Sequence, residues 1–203
     1  MSREGGTESG TVRERIIGTA TRLFASLGYD GTSAKMIADA TGLDVATITD
    51  LIGDKRDIYL AVMERASMTT RAMFDSTFAE FTPDRAGVHL LADRYLDFFV
   101  EHPEVAELWI HRWLGDAADV TWLEALYLKP LLDRLTDALR SVVGSDVDLE
   151  IACWTVIWSV RGFVVGGLLN EEGQPVGPRN PVFLRRFRSH LHQLVDRMYE
   201  LDR

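Results

Sequence analysis

Residues 33–52 read SAKMIADATGLDVATITDLI and combine two short apolar-patterned segments with a glycine between them. Ile37 and Ile48 fit the inner faces of two short helices, and Gly42 supplies the turn that joins them. Asp44, which stands directly before the second segment, is a favoured residue type at the start of a helix. The stretch therefore predicts two short helices joined by a tight turn, which is a helix-turn-helix unit.

The outward face of the second short helix carries side chains that are available to a partner. In a helix-turn-helix unit this helix enters the major groove of duplex DNA. Its outward residues are Val45, Ala46, Thr47, Thr49 and Asp50. We expect these side chains to face base edges and phosphates.

A longer segment, residues 12–62, resembles the DNA-binding domain of TetR-family transcriptional regulators. The positions that carry the resemblance are Leu23, Phe24, Gly28, Tyr29, Thr32, Ser33, Ile37, Ala38, Gly42, Thr47, Lys55 and Asp57. The resemblance implies that DNA is bound by Thr32, Ser33, Asp44, Val45, Ala46, Thr47, Thr49, Asp50 and Lys55. It also implies a homodimer on a pseudo-palindromic double-stranded operator, a small-molecule effector that is apolar or aromatic, and the role of a repressor.

Some positions depart from the family's pattern. Thr49 stands where the family usually has a tyrosine that contacts a phosphate, and Ile52 replaces a phenylalanine that braces the helix. Asp50 places a carboxylate near the phosphates, which repels them, although it could accept a hydrogen bond from a cytosine amino group. Two functions therefore stay open: a DNA-binding regulator, and a helical small-molecule-binding protein that has lost specific DNA binding.

The composition is that of an ordinary globular chain rather than of a broadly basic nucleic-acid binder. The 203 residues are 46% hydrophobic and 26% charged, with a net charge of −9. Residues 1–60 hold 7 Lys and Arg against 9 Asp and Glu, so any DNA contact must be made by a few placed groups. The single cysteine, Cys153, fits a reducing compartment, and we expect a cytoplasmic protein with no membrane segment.

The apolar spacing beyond residue 10 is helical nearly throughout, so we predict an all-α fold. We divide the chain into a disordered Gly/Ser/Glu-rich arm over residues 1–10, a helix-turn-helix domain over residues 11–53, and a larger helical effector-binding and dimerisation domain over residues 54–203. The loop EEGQPVGPRNP, residues 171–181, has no periodic content and separates the last two helices.

Aromatic residues are frequent in the larger domain and could line a ligand pocket or simply fill a helical core. The resemblance places a pocket among the middle helices. The residues assigned to it are Phe78, Tyr95, Phe99, Trp109, Trp113, Trp122, Tyr127, Trp158 and Arg161. Arg161 lies in WTVIWSVRGFVVGGLL, so it binds either an acidic group of an effector or a carboxylate of the protein.

The last two long helices are where the resemblance places the dimer interface. Gly162 and Gly166, four residues apart, permit close approach of a second helix. The interface residues assigned are Gly162, Gly166, Phe187, Leu191, Leu194 and Met198.

Metal sites and catalytic motifs are weakly represented. His111 follows Glu107 by four residues and His102 lies nearby, but the sequence offers no third convincing ligand. We therefore predict no metal and no cofactor. Because the sequence has neither a phosphate-binding glycine loop nor a nucleophile elbow, we also predict that the protein is not an enzyme.

Overall fold

The structure, a computed structural model, describes residues 4–201, with side chains from Gly10 onward. The described chain is almost entirely helical, so the predicted all-α class is confirmed. The α-helices are α1 (Glu4–Gly31), α2 (Ala34–Thr41), α3 (Val45–Leu51), α4 (Lys55–Glu80), α5 (Arg85–Glu101), α6 (Pro103–Trp113), α7 (Lys129–Leu139), α8 (Leu149–Gly166) and α9 (Pro181–Met198). A π-helical turn, Glu124–Leu128, directly precedes α7.

The first helix begins earlier than the sequence predicted. Residues 4–10 of the predicted arm are helical, while residues 1–3 lie outside the described part of the chain. Extending a formed helix adds a hydrogen bond per residue without a new nucleus, which offsets the poor helix propensity of Gly and Ser. The helix is interrupted at Gly28, whose φ is 74°, where the sequence predicted its end.

A short antiparallel ribbon follows α8. Strand β1 (Leu168–Leu169) pairs with strand β2 (Pro175–Val176), partly within the segment predicted as an irregular loop. The Asn170 side chain accepts a hydrogen bond from the Gln174 N–H at 2.8 Å, and the Asn170 N–H donates to the Gln174 carbonyl at 2.9 Å. These two hydrogen bonds close the turn and bring the two strands together.

The chain divides into two compact units. The N-terminal unit ends at Ser67 and also includes Glu107–Thr121, and the second unit comprises Met68–Ala106 together with the residues from Trp122 onward. The N-terminal unit is larger than the predicted domain of residues 11–53 because the first half of α4 packs on α1. The ring of Tyr59 on α4 lies 5.3 Å from that of Phe24 on α1, edge to face.

The second unit is built around α8, which packs against α5, α7 and α9. This helix is long and apolar enough to cross a membrane if only length and composition are considered. Its buried residues include Cys153, Ile157, Val160 and Phe163, which face the neighbouring helices. We therefore describe α8 as the core helix of the second unit.

Hydrogen bonds between charged and polar side chains connect helices α5 and α9. Asp196 on α9 is 6% exposed, accepts a hydrogen bond from the Arg85 Nε at 2.9 Å, and lies 2.7 Å from the His89 Nε2. The His89 ring stacks on that of His192 with 4.1 Å between centroids. Burial raises the pKa of Asp196, but the hydrogen bonds from Arg85 and His89 outweigh it and leave this pKa below its ordinary value.

Candidate nucleic-acid interface and ligand cavity

Helix α2 begins and ends as the sequence predicts. The Ser33 hydroxyl accepts a hydrogen bond from the Met36 N–H at 3.2 Å, which caps the first turn. Gly42 adopts a left-handed conformation with φ 70° and ψ 25°, which favours glycine at the end of a helix. The backbone therefore turns at Gly42 and leads directly into the start of α3.

Helix α3 is held in place by a cap at its first turn and by a buried side chain on its inner face. Asp44 accepts a hydrogen bond from the Thr47 N–H at 2.6 Å, as expected for a helix cap, and backbone donors hold the pKa of Asp44 below its ordinary value. Ile48 is 1% exposed and packs in the core of the N-terminal unit. This cap and the buried isoleucine determine which face of α3 points outward.

The outward face of α3 carries the side chains that the sequence assigned to DNA contact. Val45, Ala46, Thr49 and Asp50 are exposed, and Thr47 is half-buried. The Thr49 hydroxyl donates to the Val45 carbonyl at 2.9 Å, so its lone pairs remain directed outward. The exposed face is therefore mostly small and apolar, with one carboxylate.

The start of α4 is a reciprocal capping arrangement. Asp54 accepts hydrogen bonds from the N–H groups of Arg56 and Asp57 at 2.8 and 3.0 Å, and Asp57 accepts from the Asp54 N–H at 3.0 Å. Gly53 has φ 123°, and a Cβ atom there would collide with the Asp57 carboxylate. Asp54 thus has a structural role as a cap.

Lys55 is half-buried and held within the protein. Its Nζ donates to the Tyr29 carbonyl at 3.0 Å and lies 4.0 Å from the centroid of the Tyr29 ring. The ammonium group has two further N–H donors. The sequence assigned Lys55 to a phosphate contact, and the structure shows that it also fastens the start of α4 to the end of α1.

Thr32 does not lie on the surface. It is 1% exposed, and its hydroxyl donates to the Gly28 carbonyl at 2.7 Å. The assignment of this side chain to DNA contact is therefore wrong. The neighbouring Ser33 is exposed, and its hydroxyl proton is not used by the cap.

A carboxylate that the sequence did not single out holds the end of α1. Asp116, in the turn after α6, accepts hydrogen bonds from the N–H groups of Tyr29 and Asp30 at 2.6 and 2.9 Å. In the last turn of α6 the His111 Nε2 lies 3.0 Å from the Ala25 carbonyl. Both backbone polar groups of Tyr29 are thus bound, one by Asp116 and the other by Lys55. We call this arrangement the Tyr29 clamp.

The second unit contains two adjacent small cavities. One has a volume of about 40 Å³ and the other of about 20 Å³. Both are lined by Phe74, Tyr95, Leu135 and Ile157. Known ligand pockets usually have roughly 300–1,000 Å³. The core of the second unit must therefore widen to take up a small molecule.

Only two of the predicted pocket residues, Tyr95 and Arg161, line these cavities. Trp109 and Trp113 belong to the N-terminal unit, and Trp158 is 52% exposed on the outer side of α8. The other predicted residues, which do not line either cavity, are Phe78, Phe99, Trp122 and Tyr127. The prediction selected residues by aromatic type, whereas the cavity walls are largely aliphatic.

Cys153 lines the larger cavity and is buried. Burial raises the pKa of its thiol to about 11, and the hydrogen bond with the Tyr199 hydroxyl only partly opposes this. The thiol is therefore protonated at neutral pH and is a poor nucleophile.

The residues assigned to a dimer interface lie in different environments. Gly162 and Gly166 are exposed on α8, whereas Phe187, Leu194 and Met198 are half-buried on α9. Leu191 is 1% exposed and belongs to the core of its own chain, so its assignment to the interface is wrong. The sequence missed two exposed apolar side chains on α8, Ile151 and Val165, which lie seven residues on either side of Trp158.

The histidines considered as metal ligands have other contacts. His111 is bound to the Ala25 carbonyl, and the His102 Nδ1 lies 3.4 Å from a Glu104 carboxylate oxygen. Among the side chains that the structure describes, no three His, Cys, Asp or Glu form a group that could hold a metal ion.

The comparison with protein families concerns the helix-turn-helix segment. Residues 16–62 match the family described as bacterial regulatory proteins, tetR family. No curated protein matches the chain.

Several solved structures are similar to nearly the whole chain. A TetR-like transcriptional regulator from Rhodococcus sp. RHA1 has a TM-score of 0.68 at 15% identity, covering 92% of this chain and 94% of that chain. The fatty acid degradation regulator FadR from Bacillus halodurans has a TM-score of 0.65 at 17% identity, covering 90% and 93%. The ketosteroid transcriptional regulator KstR2 of Mycobacterium tuberculosis has a TM-score of 0.67 at 14% identity, covering 92% and 94%.

These findings identify a matched segment and a shared fold. The likeness of the solved structures, at such low identity, concerns the fold. Residues 16–62 match the tetR-family model, and the fold of the chain is similar to that of a solved TetR-like transcriptional regulator.

Proposed function

We propose that this protein is a cytoplasmic transcriptional repressor that binds operator DNA as a homodimer and is released by a small apolar or aromatic effector. The observation that carries the proposal is the outward face of α3. Asp44 caps this helix and Ile48 anchors it, so Val45, Ala46 and Asp50 are exposed side by side. A small, exposed helix face of this kind can approach base edges in a major groove.

Phosphate contacts would come from few groups. The hydroxyls of Ser33 and Thr47 can donate to phosphate oxygens of the DNA backbone, whereas that of Thr49 donates to the Val45 carbonyl; Lys55 has donors beyond the one bound to Tyr29. Because these phosphate contacts are few, their contribution to DNA affinity would be modest and salt-dependent. They would orient the protein on the DNA without reading its sequence. The sequence preference would come from the outward face of α3.

Dimerisation is supported by an apolar stripe on α8. Ile151, Trp158 and Val165 recur every seven residues and are 54%, 52% and 42% exposed. Gly162 lies on the same helix and is exposed. An exposed apolar stripe of this kind is typical of a protein–protein interface, and a second copy would place two α3 helices on two half-sites about 34–36 Å apart.

An effector site in the second unit is supported by the two adjacent cavities. Their walls are mostly aliphatic and aromatic, which suits an apolar molecule. Helices α4 and α6 each contribute residues to both units, so a shift of either helix on ligand binding would reach the N-terminal unit. The ligand can change operator affinity only by as much as it prefers one of the two states.

The proposal is tested by DNA binding upstream of the protein's own gene, measured by fluorescence anisotropy at low and moderate salt. We expect a sequence-selective complex that Lys55→Ala and Thr47→Ala both weaken. Lys129→Ala, an exposed lysine on α7 of the second unit, is the matched control and should leave binding unchanged. Absence of any selective complex from an intact, folded dimer would overturn the proposal.

The alternative is a helical small-molecule-binding protein without specific DNA affinity. Two observations favour it: Asp50 is exposed on the outward face of α3, and Lys55 is engaged by Tyr29. Ligand binding that persists while selective DNA binding is absent would support this alternative.

A further inference from the structure

A buried arginine lines one of the cavities in the second unit. Arg161 lies in the middle of α8, is 2% exposed, and forms part of the wall of the smaller cavity. Its Nε donates to the Tyr95 hydroxyl at 3.1 Å, and its guanidinium carbon lies 4.9 Å from the centroid of the Phe99 ring. A permanent positive charge therefore lies at the cavity wall, beside the Tyr95 hydroxyl and the Phe99 ring.

Arg161 and Tyr95 together can bind an acidic group. A guanidinium has five N–H donors in a planar fork that matches the two oxygens of a carboxylate. Burial raises the pKa of Tyr95, and the charge of Arg161 only partly opposes this, so the phenol is protonated at neutral pH. The Tyr95 oxygen accepts from Arg161, and its own proton is not used in that hydrogen bond. Both side chains can thus donate to one anionic group.

The rest of the cavity wall suits an apolar body. Four leucines from the end of the π-helical turn and from α7 face Phe74 and Ile157 across the smaller cavity; they are Leu128, Leu131, Leu132 and Leu135. The larger cavity continues this apolar lining with Val88, Leu91 and Leu139. A wholly apolar molecule would place no hydrogen-bond acceptor against the guanidinium at the cavity wall, whereas a ligand with an acidic group would.

The volume of the cavities requires the wall to move. Cavities of about 40 and 20 Å³ admit no more than water-sized groups. The leucine side of the wall is formed by α7, which follows a π-helical turn and carries Pro130 in its first turn. π-helical turns are rare and frequent at functional sites, so we assign the movement of the wall to this end of α7.

We propose that the effector is an anionic amphiphile, with a carboxylate or similarly compact acidic group bound by Arg161 and Tyr95 and an apolar body between α7 and α8. This inference rests on the proposed effector site and adds the chemical class of the ligand. It does not depend on DNA binding, so the two proposals can fail separately.

The test uses matched ligands and the full-length protein. Octanoate, decanoate, dodecanoate and naphthoate are each compared, by isothermal titration calorimetry at neutral pH, with the alcohol and the amine of the same carbon skeleton. We expect at least one acid to bind about tenfold or more tightly than its alcohol, with the amine weakest. If no acid binds, or if the alcohol or amine binds as tightly as the acid in every set, the proposal is overturned.

Three variants separate ligand recognition from folding. Tyr95→Phe and Arg161→Gln should remove most of the preference for the acid over the alcohol, and Arg161→Lys should retain part of it because the charge is kept. Arg140→Gln, an exposed arginine just after α7, is the matched control and should bind like the wild type. Circular dichroism melts establish which variants fold.

If Arg161→Gln does not fold, Tyr95→Phe and Arg161→Lys decide the question. An unchanged preference for the acid in folded Tyr95→Phe and Arg161→Lys would contradict the role assigned to this pair. In a parallel titration, the acid that binds should displace the protein from its operator. Binding without displacement would refute the proposed repressor mechanism and leave the ligand class intact.

Discussion

At the scale of single residues, the aspartates around α3 have different roles. Asp44 and Asp54 each accept backbone N–H groups at the start of a helix, so their charge is used within the protein. Asp50 is exposed on the outward face, where it would meet the phosphates or a base edge. Neutralising Asp50 therefore removes a negative charge without removing a helix cap.

We expect Asp50→Asn to raise the affinity for duplex DNA of unrelated sequence by roughly two- to tenfold at low salt, because a charge that repels phosphate is lost. The measurement is fluorescence anisotropy with a random-sequence duplex at about 50 and 150 mM salt, and the gain should shrink at the higher concentration. Asp137→Asn, on the exposed side of α7, is the control. Equal affinities of Asp50→Asn and wild type would show that this carboxylate does not face the phosphates.

What the sequence could predict depended on whether the interaction was local. The cap at Asp44 uses a partner three residues away and was predicted correctly, and the caps at Ser33 and Asp54 are equally local. Asp116 was missed because its partners are 86 and 87 residues distant, and no periodicity links them.

The ligand cavity was harder to predict than the fold. Helix α8 is apolar on its inner and outer sides, so spacing alone could not show that Trp158 is exposed while Arg161 is buried. The helices themselves could be predicted from periodicity, because that prediction does not require knowing which face of a helix is buried. The cavity depends on the packing of α7 and α8, which the sequence does not encode locally.

At the scale of elements, the Tyr29 clamp holds the end of α1 between the start of α4 and the turn after α6. Because the Asp116 carboxylate accepts two backbone N–H groups, its loss would leave at least one of them without this partner. The position of α1 sets that of α2 and α3, which pack against it.

We expect Asp116→Asn to lower the free energy of unfolding by about 1–3 kcal/mol, since charge-assisted hydrogen bonds are replaced by weaker ones. Operator affinity should fall as well, because the orientation of α3 becomes less fixed. Urea denaturation and anisotropy measure the two effects. Asp119→Asn, an exposed carboxylate three residues away, is the control; if it behaves like Asp116→Asn, the clamp has no special role.

The contact between α5 and α9 should make the free energy of unfolding depend on pH in the acid range. The pKa of Asp196 is lowered in the folded state, so its contribution to stability is present above its unfolded pKa of about 3.9 and is lost as pH falls through the folded value. The groups facing it are Arg85 and His89, and the adjacent cluster comprises His192, Asp93, Asp97 and Arg188.

We therefore expect the melting temperature of Asp196→Asn to be lower than that of the wild type at neutral pH, with the difference shrinking towards pH of about 3. Differential scanning calorimetry across this range measures it. Asp146→Asn, an exposed carboxylate before α8, serves as the control. A difference that stays constant down to the lowest pH would show that the charge of Asp196 does not stabilise the fold.

At the level of the whole molecule, the proposed function requires two copies. The exposed stripe on α8 formed by Ile151, Trp158 and Val165 is the surface that a second copy would cover. A two-half-site operator needs both copies at once, so loss of the dimer would also weaken DNA binding.

We expect Trp158→Ser to shift the protein from dimer to monomer at micromolar concentration, because a large apolar side chain at the centre of the stripe is lost. Size-exclusion chromatography with light scattering measures the mass. Leu126→Ser removes another exposed apolar side chain of the second unit, 54% exposed on the π-helical turn, and should leave the mass unchanged. A dimer that survives Trp158→Ser and Ile151→Ser would place the interface elsewhere.

The capping of α3 has a consequence for how this protein can evolve. Its orientation depends on Asp44, Ile48 and the backbone turn at Gly53, whereas the exposed side chains Val45, Ala46 and Asp50 hold no other element in place. Under the proposed function, substitutions at these exposed positions would change the preferred operator with little loss of stability. A duplicated copy of the gene could therefore acquire a new operator preference through substitutions at a few codons. The same positions could be substituted by design to change the DNA sequence that the protein binds.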